Sequence, residues 1–249
     1  MPSPRSRKDW IDTSTLRGDL TKFFGEQRKE LGIFGSTVNQ TFEAFVYASV
    51  IGWYKERGWT VTFNNPGPPG PNGKHTLRLK FSTRGRPENF TYATCTKADD
   101  AVQIRHQIRV ATDAHRASGK YKANIVLDVA VIKDIDLSAH GSSDYVPNED
   151  LVTFGEAKHM SAFAELVASF LGIVHEMQPK RLARRRFKSR TARSKPLTPG
   201  HLSPFLFVSG FLFQTAQGLV DTIASRGFDL DVYWRTKQIT SSIAVAGVK

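Results

Sequence analysis

Residues 123–132 read ANIVLDVAVI and residues 151–158 read LVTFGEAK. The first run is almost wholly apolar and β-branched, with one charge, Asp128. Such a run suits a strand buried on both faces. Along it Val126 and Ala130 share the face of Asp128, while Leu127 and Val129 point the other way. A lone carboxylate in an apolar strand is costly unless it is paired, hydrogen-bonded or bound to a metal. The second run also reads as a strand. Glu156 and Lys158, two apart, project to one side of it. A carboxylate and an amine so placed can act on one small site.

Helices and strands interleave around these two runs. Upstream, residues 37–57 carry Phe42, Phe45, Val46, Ser49, Val50 and Trp53 at helical spacing, with Thr37 and Gln40 as a capping box and Gly58 as the stop. Glu43 lies beside that stripe, on the side of Tyr47, Val50 and Tyr54. Strands are expected at 59–63, 75–82 and 90–96. In residues 102–110, Val102, Ile104, His106, Ile108 and Val110 alternate with Gln103, Arg105, Gln107 and Arg109, the period of a long half-exposed strand. Downstream, Ser161 is a candidate N-cap for a helix reaching Met177. Residues 205–213 read as a buried strand, 215–225 as a helix stopped by Gly227, and 228–234 as a last strand. Residues 1–35 read as an arm or flanking helix, with helix expected from Asp19 to Leu31, and 36–249 as one domain. The fold class expected is α/β, a central mixed sheet flanked by helices.

Composition narrows the function. The chain has 249 residues, 40% hydrophobic and 23% charged, which excludes a disordered chain, a collagen-like repeat and a coiled coil. One cysteine, Cys95, excludes an internal disulfide framework and a cysteine-built metal centre. Thirty-five Lys and Arg stand against 23 Asp and Glu, a net charge of +12. That excess favours polyanions. No stretch is apolar enough to span a bilayer, and the first residues lack the apolar core of a secretory signal. A cytoplasmic protein with a nucleic-acid partner is expected.

The densest charge lies at 180–200, where Lys180, Arg181, Arg184, Arg185, Arg186, Lys188, Arg190, Arg193 and Lys195 cluster, with no Asp or Glu between Glu176 and Asp221. Such a run suits contact with a phosphate backbone. Arg105 and Arg109 are candidates to extend it, and Phe187 to stack on a base.

A helix bearing Glu43, then strands, then a strand bearing Asp128, then a strand bearing Glu156-x-Lys158, then a helix and a strand resembles the PD-(D/E)XK nuclease superfamily over roughly residues 37–235. It departs from that pattern in having Leu127 where a Pro is usual, and in a long strand-rich stretch between Glu43 and Asp128. The resemblance implies a restriction-endonuclease-like core with an elaborated strand-rich region. It implies a metal-dependent nuclease, an endonuclease on DNA before RNA, in restriction, repair or defence. Asp128, Glu156 and the Ala157 carbonyl would hold Mg²⁺, with Mn²⁺ able to substitute. Lys158 would act on the attacking water or on the developing charge. Glu43 would support that shell or bind a second metal. His159 is a secondary candidate. His175 and Glu176 read as ordinary helix residues.

The chain shows no specificity domain, helicase motif or Walker loop, so either a targeting partner or recognition of a nucleic-acid structure rather than a sequence is expected; a homodimer would suit cutting both strands of a duplex. Two other readings remain at this point. One is a nuclease-like fold that only binds nucleic acid or scaffolds a complex. The other is a basic structural protein in which Asp128 and Lys158 form a buried ion pair.

Overall fold

A computed structural model describes residues 13–26, 29–31, 38–82, 84–118, 123–140, 145–183 and 197–234. Its elements are α1 (Thr13–Glu26), β1 (Lys29–Leu31), α2 (Val38–Glu56), β2 (Thr60–Asn64), β3 (His75–Leu77), β4 (Tyr92–Lys97), β5 (Asp100–Ala111), α3 (Asp113–Ser118), β6 (Asn124–Lys133), β7 (Leu151–Lys158), α4 (Ala164–Met177), β8 (Phe205–Val208), α5 (Gln214–Arg226) and β9 (Asp231–Trp234).

Seven strands form one sheet in the order β2-β4-β5-β6-β7-β8-β9. The strands from β2 to β7 are antiparallel neighbours, and β7, β8 and β9 are parallel. Parallel neighbours need a crossover, which α4 and α5 supply. The chain is therefore α/β, with a central mixed sheet and helices on both faces.

Alternation along the strands sends side chains to two cores. Phe42, Phe45, Val46 and Ile51 of α2 pack with Val102, Ile104, Val129, Val131, Ala157, Phe205 and Phe207. Val167, Phe170 and Val174 of α4, with Ala216 and Ile223 of α5, pack with Ala130, Ile132, Phe154, Leu206 and Val208. Each large side chain so buried contributes roughly 1.5–3 kcal/mol. Gly155 is required beside β8, because a Cβ there would lie 2.1 Å from the Phe205 ring. Gly227 ends α5 in the left-handed conformation at φ 67°, which costs glycine nothing.

Several expectations are corrected. The first helix starts at Thr13, and its Leu16, Leu20 and Phe24 are buried in the α2 core. It ends at Glu26, before the expected Leu31. The strand expected over 75–82 shrinks to three residues and pairs with β1 outside the large sheet. Beyond it, the Arg78 backbone bonds Thr91 instead of a ladder partner. Ser161 does not cap α4: the N-cap is Phe163, and the Ser161 hydroxyl accepts the Phe211 N–H. The strand at 205–213 stops at Val208. Thr37 and its capping box lie outside the described residues. Among the described residues no helix is long and apolar enough to cross a membrane.

Candidate active site

The two runs that open the sequence reading are adjacent central strands, and they part company at one point. Pairing of β6 with β7 runs from Ile132↔Leu151 to Val129↔Gly155 and stops there. From Gly155 to Lys158, β7 is paired with β8 on its other edge. Its free edge leaves buried N–H groups that need partners. Asp128 supplies one: its Oδ2 accepts the Ala157 N–H at 3.0 Å. In an extended strand the N–H and C=O of one residue point to the same edge, so the Ala157 carbonyl faces the same gap.

Asp128 also marks a change of face. Val129 belongs to the α2 core and Leu127 to the α4–α5 core, so the two do not share a face as strict alternation predicts. Opposite Asp128, Gln107 is the one residue between Val102 and Ala111 without a register partner in β6. Its φ is 52°, uncommon for a residue with a side chain. The halves of β5 on either side of it serve different cores, with Val102 and Ile104 in one and Ile108 and Val110 in the other.

At the gap three predicted residues meet. Lys158 Nζ donates to Asp128 Oδ2 at 2.7 Å and lies 2.9 Å from Glu156 Oε2. Both carboxylates are buried, while Lys158 keeps a third of its side chain exposed. Burial pulls the Lys158 ammonium down, but Glu156 and Asp128 outweigh it and hold the pKa well above the usual lysine range. Glu156 is pushed up to about 7, by burial first and then by the charge of Asp128, against the pull of Lys158 and the Asp128 backbone. Its Oε1 is buried without a hydrogen-bond partner.

Glu43 joins the group from α2. Gln107 Nε2 donates to Glu43 Oε2 at 3.0 Å and to Asp128 Oδ1 at 3.2 Å, so one amide links the two carboxylates. The Gln107 carbonyl, turned aside by the positive φ, accepts from Lys80 Nζ at 2.9 Å. Lys80 is buried and also donates to the Ser82 carbonyl. Sequence reasoning missed Gln107, Lys80 and His106 as members of this cluster. His106 stands in the apolar phase of the alternating strand, which was the available signal for its burial.

Among the described residues no three His, Cys, Asp or Glu side chains form a group that could hold a metal. The gap offers less: the Asp128 and Glu156 carboxylates and the Ala157 carbonyl, with Glu156 Oε1 unsatisfied. That donor set fits a hard cation such as Mg²⁺, which takes one or two carboxylates and completes its shell with water and substrate phosphate.

The remaining candidates lie elsewhere. His159 rests against Phe42 at 5.7 Å between ring centres, and burial lowers its pKa. The Cys95 thiol is fully buried and pushed up to about 12. His175 and Glu176 are exposed at the end of α4. Of the basic segment, Lys180 is exposed. Arg181 is not available to a polyanion: it is 4% exposed, ion-paired with Asp229, and bonded to the Val152 carbonyl and the Thr198 hydroxyl. Arg184, Arg185, Arg186, Phe187, Lys188, Arg190, Arg193 and Lys195 lie outside the described residues. Arg105 is likewise turned inward, stacked on Tyr92 and bonded to Gln103 and the Pro87 carbonyl. No family model, curated protein or solved structure matches the chain.

Proposed function

We propose that the chain is a metal-dependent nuclease of the PD-(D/E)XK type that hydrolyses phosphodiester bonds, in DNA before RNA. The observation that carries this reading is the meeting of Asp128, Glu156 and Lys158 where β6 and β7 separate, with the Lys158 ammonium bonded to both carboxylates. Mg²⁺ held by Asp128, Glu156 and the Ala157 carbonyl would lower the pKa of the attacking water and neutralise charge on the phosphate. Lys158 is held protonated, which suits a stabiliser of negative charge developing at the phosphate rather than a base. Asp128 keeps Lys158 pointed into the gap. Gln107 fixes Asp128 from the other side and ties it to Glu43. The net charge of +12 brings a polyanion to the surface.

The test is cleavage of supercoiled plasmid, single-stranded DNA and RNA by the purified chain, with Mg²⁺, Mn²⁺ or a chelator. Lys158→Ala and Asp128→Asn run alongside, each checked for folding by circular dichroism. Metal-dependent cutting, lost in both folded variants, is the expected result. Salt-sensitive binding without cutting would replace the enzyme with a nucleic-acid-binding module. Neither binding nor cutting would leave Asp128 and Lys158 as a structural ion pair.

A further inference from the structure

Lys158 ends β7, and Val208 ends β8 directly beside it. From each the chain turns through four residues, 159–162 and 209–212, and enters a helix at a phenylalanine: Phe163 is the N-cap of α4 and Phe213 that of α5. The two turns are laced together. The Lys158 and Met160 carbonyls accept the Ser209 and Gly210 N–H groups, the Phe211 carbonyl accepts the Ala162 N–H, and the Ala162 carbonyl accepts the Phe213 N–H, at 2.9–3.1 Å. A Cβ on Gly210 would lie 2.8 Å from the Ser161 nitrogen, so the turns approach as closely as glycine permits.

This lacing sets two aromatic rings abreast on the surface. Phe163 and Phe213 stack with ring centres 4.4 Å apart and 14° between planes, and Phe211 meets Phe213 edge-on at 4.7 Å. With one face covered by its partner, Phe163 is still 48% exposed; Phe213 is 36% and Met160 37% exposed. An apolar patch held rigid and left open marks a contact surface. An aromatic side chain can bury about 150–250 Å² in full, so these three side chains together expose roughly 200–300 Å². Each partner of a stable protein complex buries about 800 Å². The patch is too small for that and suits a planar base. Neither phenylalanine can cap its helix, so α4 and α5 open with main-chain N–H groups that the N-cap side chains leave unclaimed. Such groups favour an anion beside the rings. A nucleotide offers a planar base and a phosphate together.

We infer that Phe163 and Phe213 form a platform on which an unpaired base of the nucleic acid stacks, and that the substrate is a strand with unpaired bases rather than a continuous duplex. Bases inside a duplex have both faces covered and must be extruded before another ring can reach them. Phe163 is five residues from Lys158, so their backbones lie within about 18 Å of each other. A strand whose phosphate sits at the Asp128–Lys158 gap reaches the platform within a few nucleotides. Stacking of this kind is tolerant of sequence. Cleavage of the bound strand rests on the nuclease reading; the stacking does not.

The experiment is a fluorescence titration of the full chain in chelator, where nothing is cut. The probes are a single strand carrying 2-aminopurine, its duplex, and a dye-labelled abasic strand. Wild type should quench the 2-aminopurine and bind the single strand more tightly than the duplex or the abasic strand. Phe163→Ala and Phe213→Ala should each weaken single-strand binding by about tenfold and remove the quenching, yet leave abasic-strand binding unmoved. Phe163→Leu, which keeps apolar surface, should behave as the alanine variant does, and Phe163→Trp as wild type does. Quenching and affinity unchanged in the Phe163→Ala/Phe213→Ala double variant would overturn the inference, as would tighter binding of the duplex. So would a wild-type dimer, seen by light scattering, that Phe163→Ala splits, since the patch would then belong to a second copy. Should an alanine variant fail to fold, the Leu and Trp variants decide. Stacking without cleavage in any metal would keep the platform and remove the nuclease reading; metal-dependent cleavage unchanged in the double variant would do the reverse.

Discussion

Asp128 accepts the Ala157 N–H through the same oxygen that holds the Lys158 ammonium. One carboxylate thus replaces a backbone rung between two central strands and fixes the side chain that would face the substrate. Asp128→Ala should therefore destabilise the fold by roughly 3–5 kcal/mol, the cost of leaving a buried partner uncompensated. Asp128→Asn, which still offers an oxygen to Ala157, should cost about 1–2 kcal/mol. Urea unfolding of the three proteins measures both.

Glu156 should weaken the fold as pH rises. Its folded pKa, about 7, lies above the ordinary value of 4.5. Between those values the folded state binds more protons than the unfolded, so stability is greatest below pH 4.5 on this account and falls as pH approaches 7. The slope approaches about 1 kcal/mol per pH unit for one proton. Unfolding in chelator from pH 5 to 8 should show that decline, and Glu156→Gln should flatten it. If Mg²⁺ binds here it should stabilise wild type more at pH 8 than at pH 5.5, because the ligand must be deprotonated.

Gln107 separates conformation from contact. Gln107→Ala loses the link between Glu43 and Asp128 and keeps the strained positive φ. Gln107→Gly loses the same link but relieves the strain, so it should be about 1 kcal/mol more stable than the Ala variant. Both should lose cleavage to a similar degree. Equal stabilities would show that the left-handed backbone at this position is not a source of strain.

Neighbouring members of the basic run should behave in opposite ways. Arg181→Ala leaves Asp229 buried and should cost roughly 3–5 kcal/mol. Lys180→Ala should leave the melting temperature unchanged and lower affinity for DNA slightly, with a shallower salt dependence. A thermal melt and a salt titration of binding distinguish the two.

The strands of the large sheet, their order of appearance and the trio Asp128, Glu156 and Lys158 were legible because a charge in an apolar strand is rare and a two-residue step fixes a face. Gln107 was not, since a polar residue in the outward phase of an alternating strand looks like a solvated one, and nothing in its neighbours announces a positive φ. Arg181 was misread for the opposite reason. A charge run says nothing about which member turns inward, and its partner Asp229 lies far along the chain. His106 was visible as the one polar member of the buried phase. Its approach to Glu43 depends on α2 crossing β5, which the sequence does not state.

The double duty of Asp128 bears on how such a site would erode. In a lineage without the proposed reaction, Glu156 and Gln107 would drift first, because replacing a strained or poorly solvated group relaxes the protein. Asp128 would be retained long afterwards, for the sake of the sheet alone.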